Sequence, residues 1–338
     1  MARYLVTGGA GFIGSHLVEA LLGRGHQVVA LDNLSTGRLS NLDGVRDNPG
    51  FRFAHGSVLD ELAIDQAVQD CDVIVHLAAA VGVKLIVDQP LYSLTTNIQG
   101  AINVLGAAHR YRCKVMVASS SEIYGKNNSG PLTEQSDRVL GSPAVSRWAY
   151  STSKAVDEIL AYAYHRERQL PTTVVRLFNT VGPRQSPAYG MVIPRFVRQA
   201  LAGEPLTVYG DGDQTRCFCH VADVVDALLR LLEEPRAVGD VFNVGSSEEV
   251  SIDELARRVI GRTASASAVV HLPYEVAYEV GFEDMTRRVP DVGKVQALTG
   301  WRAQRSLDDI LGDVIAEVRE ETGSGSGSSF PAERTGAS

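Results

Sequence analysis

The chain has 338 residues, 44% of them hydrophobic, which is enough for one large domain or two closely associated ones with a substantial core. Its 32 basic and 40 acidic side chains give a net charge of −8, and this acidic balance argues against a nucleic-acid-binding protein. The sequence has four cysteines, no leader before the first predicted strand and no run of the ~20 apolar residues that cross a membrane, so it predicts a cytoplasmic protein without membrane association or disulfides.

Strands and helices alternate through the first half of the chain. The predicted strands are residues 3–7, 27–32, 51–55, 72–76, 114–118 and 172–177, and the predicted helices are residues 12–24, 60–69, 90–110 and 148–168. The strands are continuously apolar, as in Val73-Ile74-Val75, which is typical of a parallel sheet covered by helices on both faces. We therefore predict an α/β fold with a doubly wound parallel sheet of Rossmann type.

The pattern changes after about residue 180, where the elements become shorter. The predicted helices there are residues 190–202, 220–234, 251–261 and 306–320, and the predicted strands are residues 206–208, 241–243 and 268–271. We expect a Rossmann domain at 1–180, the candidate cofactor domain, and a smaller C-terminal α/β domain at 181–321, the candidate substrate domain. The apolar Val241–Val244 is a candidate to rejoin the large sheet, so that the chain returns to it near 220–245. Residues 322–338 are rich in Gly and Ser and predict a flexible tail.

A glycine-rich turn follows the first strand. Gly8, Gly11 and Gly14 are spaced three residues apart between an apolar strand and a helical pattern. Residues without a Cβ let the backbone approach a pyrophosphate, which then lies at the N-terminus of the helix. Asp32, 18 residues after Gly14, ends the second strand, where a carboxylate can accept both ribose hydroxyl groups of NAD. The motif predicts a site that prefers NAD to NADP, because this acid repels a 2′-phosphate.

Tyr150 and Lys154 are four residues apart in a predicted helix, which places both on one face. A phenol is a weak base at neutral pH because its pKa is about 10, but a neighbouring cation stabilises the phenolate and lowers that pKa. Such a pair is common on solvated helices. Together with the glycine turn, however, it predicts a proton shuttle beside a hydride acceptor.

The two motifs together resemble the extended short-chain dehydrogenase/reductase superfamily, over roughly residues 1–320. More landmarks of that superfamily occur in the expected order. They are His76-Leu77-Ala78-Ala79, Asn97, Ser119–Gly125, Arg176–Asn179, Gly182-Pro183-Arg184, Arg216–Asp223 and Arg288–Asp291. The series is similar to the nucleotide-sugar branch, whose epimerases, dehydratases and decarboxylases act on UDP-, dTDP- or GDP-sugars.

The resemblance implies a set of NAD contacts in the first half of the chain. The glycine turn would hold the pyrophosphate, and residues after the second strand would hold the adenosine ribose. The candidate cofactor-binding residues are Gly8, Gly11, Phe12, Ile13, Gly14, Asp32, Asn33, Ser35, Thr36, Gly37, Ser57, Val58, Leu77, Ala78, Ala79, Asn97, Tyr150 and Lys154.

The resemblance also implies a catalytic group. Tyr150 would take the proton from O4 of the sugar while hydride leaves C4, and Lys154 would hold the nicotinamide ribose and tune the phenol. Ser120 or Ser121 would hydrogen-bond O4, and Glu122 follows them directly. These five residues are the candidate catalytic residues.

A UDP-sugar is the substrate that the resemblance implies. Arg216 and Arg288 match the basic residues that neutralise its two phosphates, and Thr180 and Arg184 resemble the carboxylate contacts of UDP-glucuronate 4-epimerases. The candidate substrate-binding residues are Val83, Lys84, Ser121, Glu122, Asn179, Thr180, Arg184, Val192, Arg216, Arg288 and Asp291.

Several reactions begin with oxidation at C4. We favour 4-epimerisation of UDP-glucuronate to UDP-galacturonate, since a carboxylate held by Thr180 and Arg184 would be retained. The alternative is UDP-glucuronate decarboxylation, in which Glu122 and Arg288 act as a pair on a β-keto acid. UDP-glucose 4-epimerase and NDP-sugar 4,6-dehydratase are further alternatives, and Ser121 stands where dehydratases carry an aspartate. A binding protein without turnover is disfavoured, because such relatives usually lose the Tyr or the Lys.

The resemblance further implies a homodimer. In that family the helices corresponding to residues 90–110 and 148–168 pack against a partner, and the first of them carries an apolar stripe that includes Leu94 and Ile102. No metal is expected, because Cys217 and Cys219 alone make a poor zinc site.

Overall fold

The computed structural model describes residues 1–187, 191–273, 285 and 287–324. Its strands in chain order are β1 (Arg3–Thr7), β2 (Gln27–Asp32), β3 (Phe51–His55), β4 (Val73–His76), β5 (Lys114–Ser120), β6 (Thr172–Leu177), β7 (Thr180–Val181), β8 (Leu206–Tyr209), β9 (Thr215–Cys217), β10 (Cys219–His220), β11 (Val241–Val244), β12 (Glu249–Ser251) and β13 (Val269–Leu272). A seven-stranded sheet has the order β11-β6-β5-β4-β1-β2-β3, and all of its paired strands are parallel. This confirms the predicted Rossmann-type α/β fold.

Helices connect these strands. In chain order they are α1 (Phe12–Gly23), α2 (Glu61–Val68), α3 (Val83–Asp88), α4 (Pro90–Tyr111), α5 (Arg147–Arg168), α6 (Val192–Ala202), α7 (Val221–Glu233), α8 (Ile252–Thr263), α9 (Gly293–Thr299) and α10 (Leu307–Ser324). None of the helices in the described part of the chain is long and apolar enough to span a bilayer.

Both faces of the large sheet are buried because its strands are apolar at consecutive positions. Leu5 of β1 packs in a cluster with α2, α4 and α5, whereas the next residue, Val6, packs in a cluster with α1 and α7. The same alternation separates Val174 from Val175 in β6. Helices therefore cover the sheet on both faces, as the strand composition predicts.

The chain returns to the large sheet at β11. Val241 pairs with Val174 of β6, and the register continues in parallel to Val244 and Leu177. This confirms the candidate return of the chain. Helix α7, which precedes β11, packs against α1 and covers the same face of the sheet.

A second core lies among the later elements. Helices α6, α8 and α10 enclose a cluster that includes Phe196, Leu255 and Leu311. Two-stranded sheets surround it: β8 pairs with β13, β9 with β12, and β10 with β7. This second core accounts for the shorter, less regular pattern predicted for the second half of the chain.

Some elements differ from the sequence-based expectation. Helix α10 runs to Ser324, beyond the predicted end at residue 320, so residues 322–324 continue the helix instead of beginning a tail. The rest of the predicted tail, 325–338, lies outside the described residues. Helices α3 and α9 and the two- or three-residue strands were not predicted, because such short segments carry too few residues for a periodic signal.

Candidate active site

A cavity of about 500 Å³ opens at the carboxyl ends of the parallel strands. The segments that follow β1, β2, β4, β5 and β6 line one side of it, and residues of α6, β8, β9 and α8 line the other. Ligands of doubly wound sheets bind in this position, outside the carboxyl ends of the strands. The cavity is therefore the candidate active site.

The glycine turn between β1 and α1 fits a pyrophosphate. Gly8 has φ +70°, and a Cβ there would lie 2.9 Å from the backbone nitrogen of Ala78. A Cβ on Gly14 would overlap the carbonyl oxygen of Gly8. Helix α1 begins after Gly11 with no side-chain cap on its first turn. Its N-terminal amides are thus available to an anion that approaches the bare backbone, which is what NAD requires here.

Asp32 lies at the end of β2 with its carboxylate held in place. Oδ2 accepts a hydrogen bond from the backbone N–H of Ala10 at 3.0 Å, and Oδ1 accepts one from Leu34 at 2.8 Å. Burial raises the pKa of Asp32, and these amide hydrogen bonds oppose that shift. A fixed acceptor beside the glycine turn fits the ribose hydroxyl groups of NAD.

Most of the predicted cofactor residues line the cavity. They are Gly8, Gly11, Phe12, Ile13, Gly14, Asp32, Asn33, Ser35, Thr36, Ser57, Val58, Leu77, Ala78, Ala79, Tyr150 and Lys154. Two others lie behind this lining. Gly37 packs against Asp32, where a Cβ would lie 3.0 Å from Oδ1. Asn97 is buried, and it accepts from the N–H of Ala80 at 2.8 Å and donates to Ser153 Oγ at 3.1 Å, so it joins the loop after β4 to α5.

Tyr150 and Lys154 share the face of α5 that borders the cavity, as their spacing predicts. Both are buried, and Tyr150 is hydrogen-bonded to the Ser120 side chain. Burial raises the pKa of Tyr150, whereas the charge of Lys154 and the bond to Ser120 oppose this rise. The phenol therefore depends on its neighbours to act as a base.

Glu122 lies in an ion cluster beside Tyr150. Its Oε1 is 2.7 Å from Nη1 of Arg288, and its Oε2 is 2.6 Å from Nη1 of Arg147. Nη1 of Arg288 also donates to Ser121 Oγ at 3.1 Å. Burial favours the neutral acid, but the two guanidinium groups outweigh it and hold the pKa of Glu122 well below its usual range. Glu122 is therefore a fixed negative charge.

Arg147 is a site residue that sequence reasoning missed. It begins α5 three residues before Tyr150, so both lie on one helical face, and it lines the cavity. Its spacing from Tyr150 was the available signal. Other lining residues come from distant parts of the second half and carry no local motif; examples are Arg195, Tyr209, Gln214, Phe218 and Ile252.

Several predicted substrate residues also line the cavity: Ser121, Glu122, Asn179, Thr180, Arg184, Val192, Arg216 and Arg288. Within the described structure, Thr180 Oγ1 is buried without a hydrogen-bond partner, and Asn179 donates to the carbonyl oxygen of Cys217 at 2.8 Å. Asp291 does not line the cavity. Its Oδ1 instead accepts a hydrogen bond from the N–H of Gly293, at the start of α9, at 2.7 Å. The side chains of Val83 and Lys84 lie outside the described residues.

Arg184 lines the cavity and is partly bound to protein groups, while its Nη1 is buried without a hydrogen-bond partner among the described residues. Its Nη2 donates to Glu19 of α1 at 2.7 Å, and its backbone N–H donates to Glu317 of α10. The carbonyl oxygen of Pro183, just before Arg184, accepts a hydrogen bond from His16 Nε2 of α1 at 3.0 Å. These contacts fasten the loop after β7 to α1.

Three comparisons with known proteins agree with this geometry. The model of the NAD dependent epimerase/dehydratase family matches residues 4–245. A UDP-N-acetyl-alpha-D-glucosaminuronate decarboxylase from Bacillus cytotoxicus is 41% identical over 94% of this chain and 98% of its own length. UDP-glucuronic acid decarboxylase 1 of Xenopus tropicalis is 36% identical over 94% of this chain and 72% of its own.

Solved structures of epimerases and dehydratases share the fold. UDP-glucuronic acid 4-epimerase from Bacillus cereus, in complex with UDP-glucuronic acid and NAD, has a TM-score of 0.85 at 29% identity, covering 94% of this chain and 99% of that one. DesIV, a dTDP-glucose 4,6-dehydratase from Streptomyces venezuelae with NAD bound, has a TM-score of 0.86 at 32% identity, covering 95% and 98%.

The glycine turn, the Asp32 carboxylate and the Tyr150–Lys154 pair thus occur on the fold of relatives that bind NAD. The resemblance to nucleotide-sugar enzymes is confirmed, and NAD is the cofactor. This chain belongs to the NAD dependent epimerase/dehydratase family, a branch of the extended short-chain dehydrogenase/reductases.

Proposed function

We propose that this enzyme decarboxylates a UDP-hexuronate, either UDP-glucuronate or its 2-acetamido counterpart, through a 4-keto intermediate. The observation that carries the proposal is the largely buried Glu122, its side chain 16% exposed, between Arg147 and Arg288 and next to Tyr150. The curated relatives over 94% of the chain support it, since their names describe uronate decarboxylases. This replaces the 4-epimerase that the sequence favoured with the alternative that it left open.

Tyr150 would begin the reaction by taking the proton from O4 of the sugar, while Lys154 stabilises the phenolate. When bound, NAD supplies the hydride acceptor for C4 and later the donor. Oxidation at C4 turns the uronate into a β-keto acid, which loses carbon dioxide readily. After C5 takes a proton from solvent and the C4 ketone is reduced, Tyr150 would return its proton to O4.

Glu122, with the two arginines that it holds, would favour loss of carbon dioxide by stabilising the enolate that forms. Because C5 adjoins C4, the substrate carboxylate would lie near Tyr150 and therefore near Glu122, whose charge acts on that phenol. One carboxylate and two guanidinium groups leave this cluster with a net positive charge, which favours the negative charge that moves from the carboxylate to the enolate as carbon dioxide leaves. Arg288 and Ser121, which are hydrogen-bonded together, would then offer a positive charge and a hydroxyl group to the enolate.

A uronate 4-epimerase must instead hold the carboxylate through the reaction. Arg184 was the cation predicted for that task, and its Nη2 already donates to Glu19 on α1, while its Nη1 is buried without a partner among the described residues. Glu19 therefore competes with a substrate carboxylate for this guanidinium. Similarity to the Bacillus cereus epimerase structure keeps 4-epimerisation as the second candidate. Dehydration is less well supported, because Glu122 is held ionised and Ser121 replaces the expected aspartate.

Two variants test the proposal. In Glu122→Gln, carbon dioxide release should fall by roughly 10²-fold, while absorbance of the reduced cofactor shows that C4 oxidation continues. Arg184→Met is the matched control, because it removes the other candidate contact; each oxidised sugar should still yield one carbon dioxide. If Glu122→Gln releases carbon dioxide as fast as the wild type, the result would argue for the epimerase arrangement. A change in the number of carbon dioxide molecules released per oxidised sugar in Arg184→Met would argue for it as well.

A further inference from the structure

Asp157 is a buried carboxylate on α5 that the proposed reaction does not use. Its side chain is inaccessible to solvent, and its Oδ2 accepts a hydrogen bond from Lys154 Nζ at 3.0 Å. Its other oxygen, Oδ1, is buried without a hydrogen-bond partner among the residues that the structure describes. A buried carboxylate is costly unless a cation compensates it. The ammonium of Lys154 is therefore the cation that compensates the buried charge of Asp157.

Lys154 is held from two directions. Its ammonium donates to the carbonyl oxygen of Ala118, near the end of β5, at 2.9 Å and to Asp157 at 3.0 Å. An ammonium group has three N–H donors, so one remains for the cavity that Lys154 lines. The carboxylate thus fixes both the position and the electrostatic surroundings of this ammonium.

We propose that Asp157 is a positioning residue that fixes Lys154 and offsets its charge, and thereby sets the pH at which Tyr150 becomes a base. The inference rests on the proposed role of Tyr150. Lys154 favours the phenolate, and Asp157, one helical turn beyond Lys154, opposes that effect. The same carboxylate raises the pKa of Lys154, against the effect of burial.

Other charged groups that face this pair are already neutralised. Glu122, in the turn after β5, lies between two arginines. Glu158 acts on Lys154 from α5, and both of its oxygens are bonded by Arg176 of β6, at 2.9 and 2.7 Å. Asp157 has no arginine partner in the described part of the chain, so its charge acts on Lys154 and Tyr150 most directly.

His76 faces the pair from β4 and adds no charge. Burial and the neighbouring Lys154 lower the pKa of His76 to about 3, so the ring stays neutral at physiological pH. Substitution of Asp157 therefore removes one charge, while Glu122, Glu158 and His76 keep their charge states.

Asp157→Asn keeps the shape of the side chain and removes its charge. We expect both limbs of the pH profile of kcat to move to lower pH, by about one unit. The acidic limb moves because the pKa of Tyr150 falls, and the alkaline limb moves because the pKa of Lys154 falls. Turnover of UDP-glucuronate across neutral and alkaline pH measures both. A smaller neutral variant, Asp157→Ser, should give the same shift and serves if the first does not fold.

Two further variants serve as controls. Asp157→Glu keeps the charge and should keep both limbs near their wild-type positions. Asp223→Asn removes another buried carboxylate, which pairs with Arg305 at 2.6 Å; it should lower stability and leave the pH profile in place. A merely structural role for Asp157 predicts the same result for Asp157→Asn as for Asp223→Asn, and that result would overturn the inference.

Tyr150→Phe separates this inference from the proposed function. If that variant turns over as fast as the wild type, the proposed base is wrong and the role of Asp157 falls with it. If Tyr150→Phe is inactive but neutral variants of Asp157 keep the wild-type profile, only the inference about Asp157 is contradicted.

Discussion

At the scale of single residues, the proposed chemistry depends on Tyr150, whose surroundings disfavour its phenolate. Burial raises the pKa of Tyr150, and the charge of Lys154 and the hydrogen bond to Ser120 work against that rise. The proposed proton shuttle therefore depends on Tyr150, Lys154 and Ser120 together, and we expect it to be lost when the phenol oxygen is removed.

Tyr150→Phe removes the proton acceptor and keeps the ring. We expect kcat to fall by about 10²–10⁴-fold, the usual contribution of general acid–base catalysis. UDP-sugar binding should survive, since the cavity keeps its shape. Steady-state kinetics together with calorimetric titration of a UDP-sugar measure the two effects. Wild-type turnover in this variant would assign the proton shuttle to another group.

The sequence predicted the Tyr150–Lys154 pair because four-residue spacing alone places both on one helical face. The resemblance implied a pair of Glu122 and Arg288 for the decarboxylase alternative, but no local pattern predicts that contact, because the two residues are 166 positions apart. The sequence did not predict Arg147 as the second partner of Glu122, nor the bond from Arg184 to Glu19 of α1. Contacts between distant segments need the packed structure.

At the scale of elements, α1 and the turn before it are the predicted pyrophosphate site, where the bare backbone lets an anion approach closely. Gly14→Ala should lower the NAD content of the purified protein strongly, because the added Cβ overlaps the carbonyl oxygen of Gly8 and displaces the turn. Gly23→Ala is the matched control at the other end of α1, where a Cβ meets nothing within 4 Å. NAD released on denaturation measures both. Equal NAD content in the two variants would contradict this account of the turn.

Strand β4 ends in a buried histidine, His76, whose Nδ1 lies 2.8 Å from Thr7 Oγ1. Burial and Lys154 lower the pKa of His76 to about 3, whereas an unfolded histidine has a pKa of about 6.5. Between these values the unfolded chain binds a proton that the folded ring does not. His76 therefore contributes to the free energy of unfolding fully above about pH 6.5, and this contribution is lost as the pH falls toward 3.

His76→Asn should remove this part of the pH dependence. Between about pH 6.5 and 5.5 the wild type should lose about 1 kcal/mol more unfolding free energy than the variant. Urea denaturation at the two pH values measures the difference. His109→Asn, at an exposed position of α4, should keep the wild-type slope. If the wild type and His76→Asn lose the same unfolding free energy between the two pH values, the argument from the burial of His76 is contradicted.

The long elements of the first half could be predicted because their apolar pattern extends over many residues. All six predicted strands of that half form in the large sheet, and Val241–Val244 joins them as β11. Strands such as Thr180–Val181 and Cys219–His220 could not be predicted, since two residues have no period and their pairing depends on the surrounding fold.

At the scale of the whole molecule, the second core closes the cavity that the sheet opens. The predicted homodimer concerns α4 and α5, which pack together and leave Ile102 and Ile159 exposed. We expect light scattering to give twice the monomer mass, and Ile159→Glu, which puts a charge on this face, to give the monomer. A monomeric wild type at micromolar concentration would contradict the predicted dimer.

Carbon dioxide release by the wild-type enzyme tests the proposed reaction most directly. UDP-glucuronate and its 2-acetamido counterpart, each labelled with carbon-13 at C6, should be offered separately, with trapped gas and nucleotide-sugar product counted together. We predict one labelled carbon dioxide for each UDP-pentose formed from the preferred substrate, without added NAD because the cofactor is recycled. A UDP-hexuronate product inverted at C4 with its label retained would contradict decarboxylation and establish the epimerase.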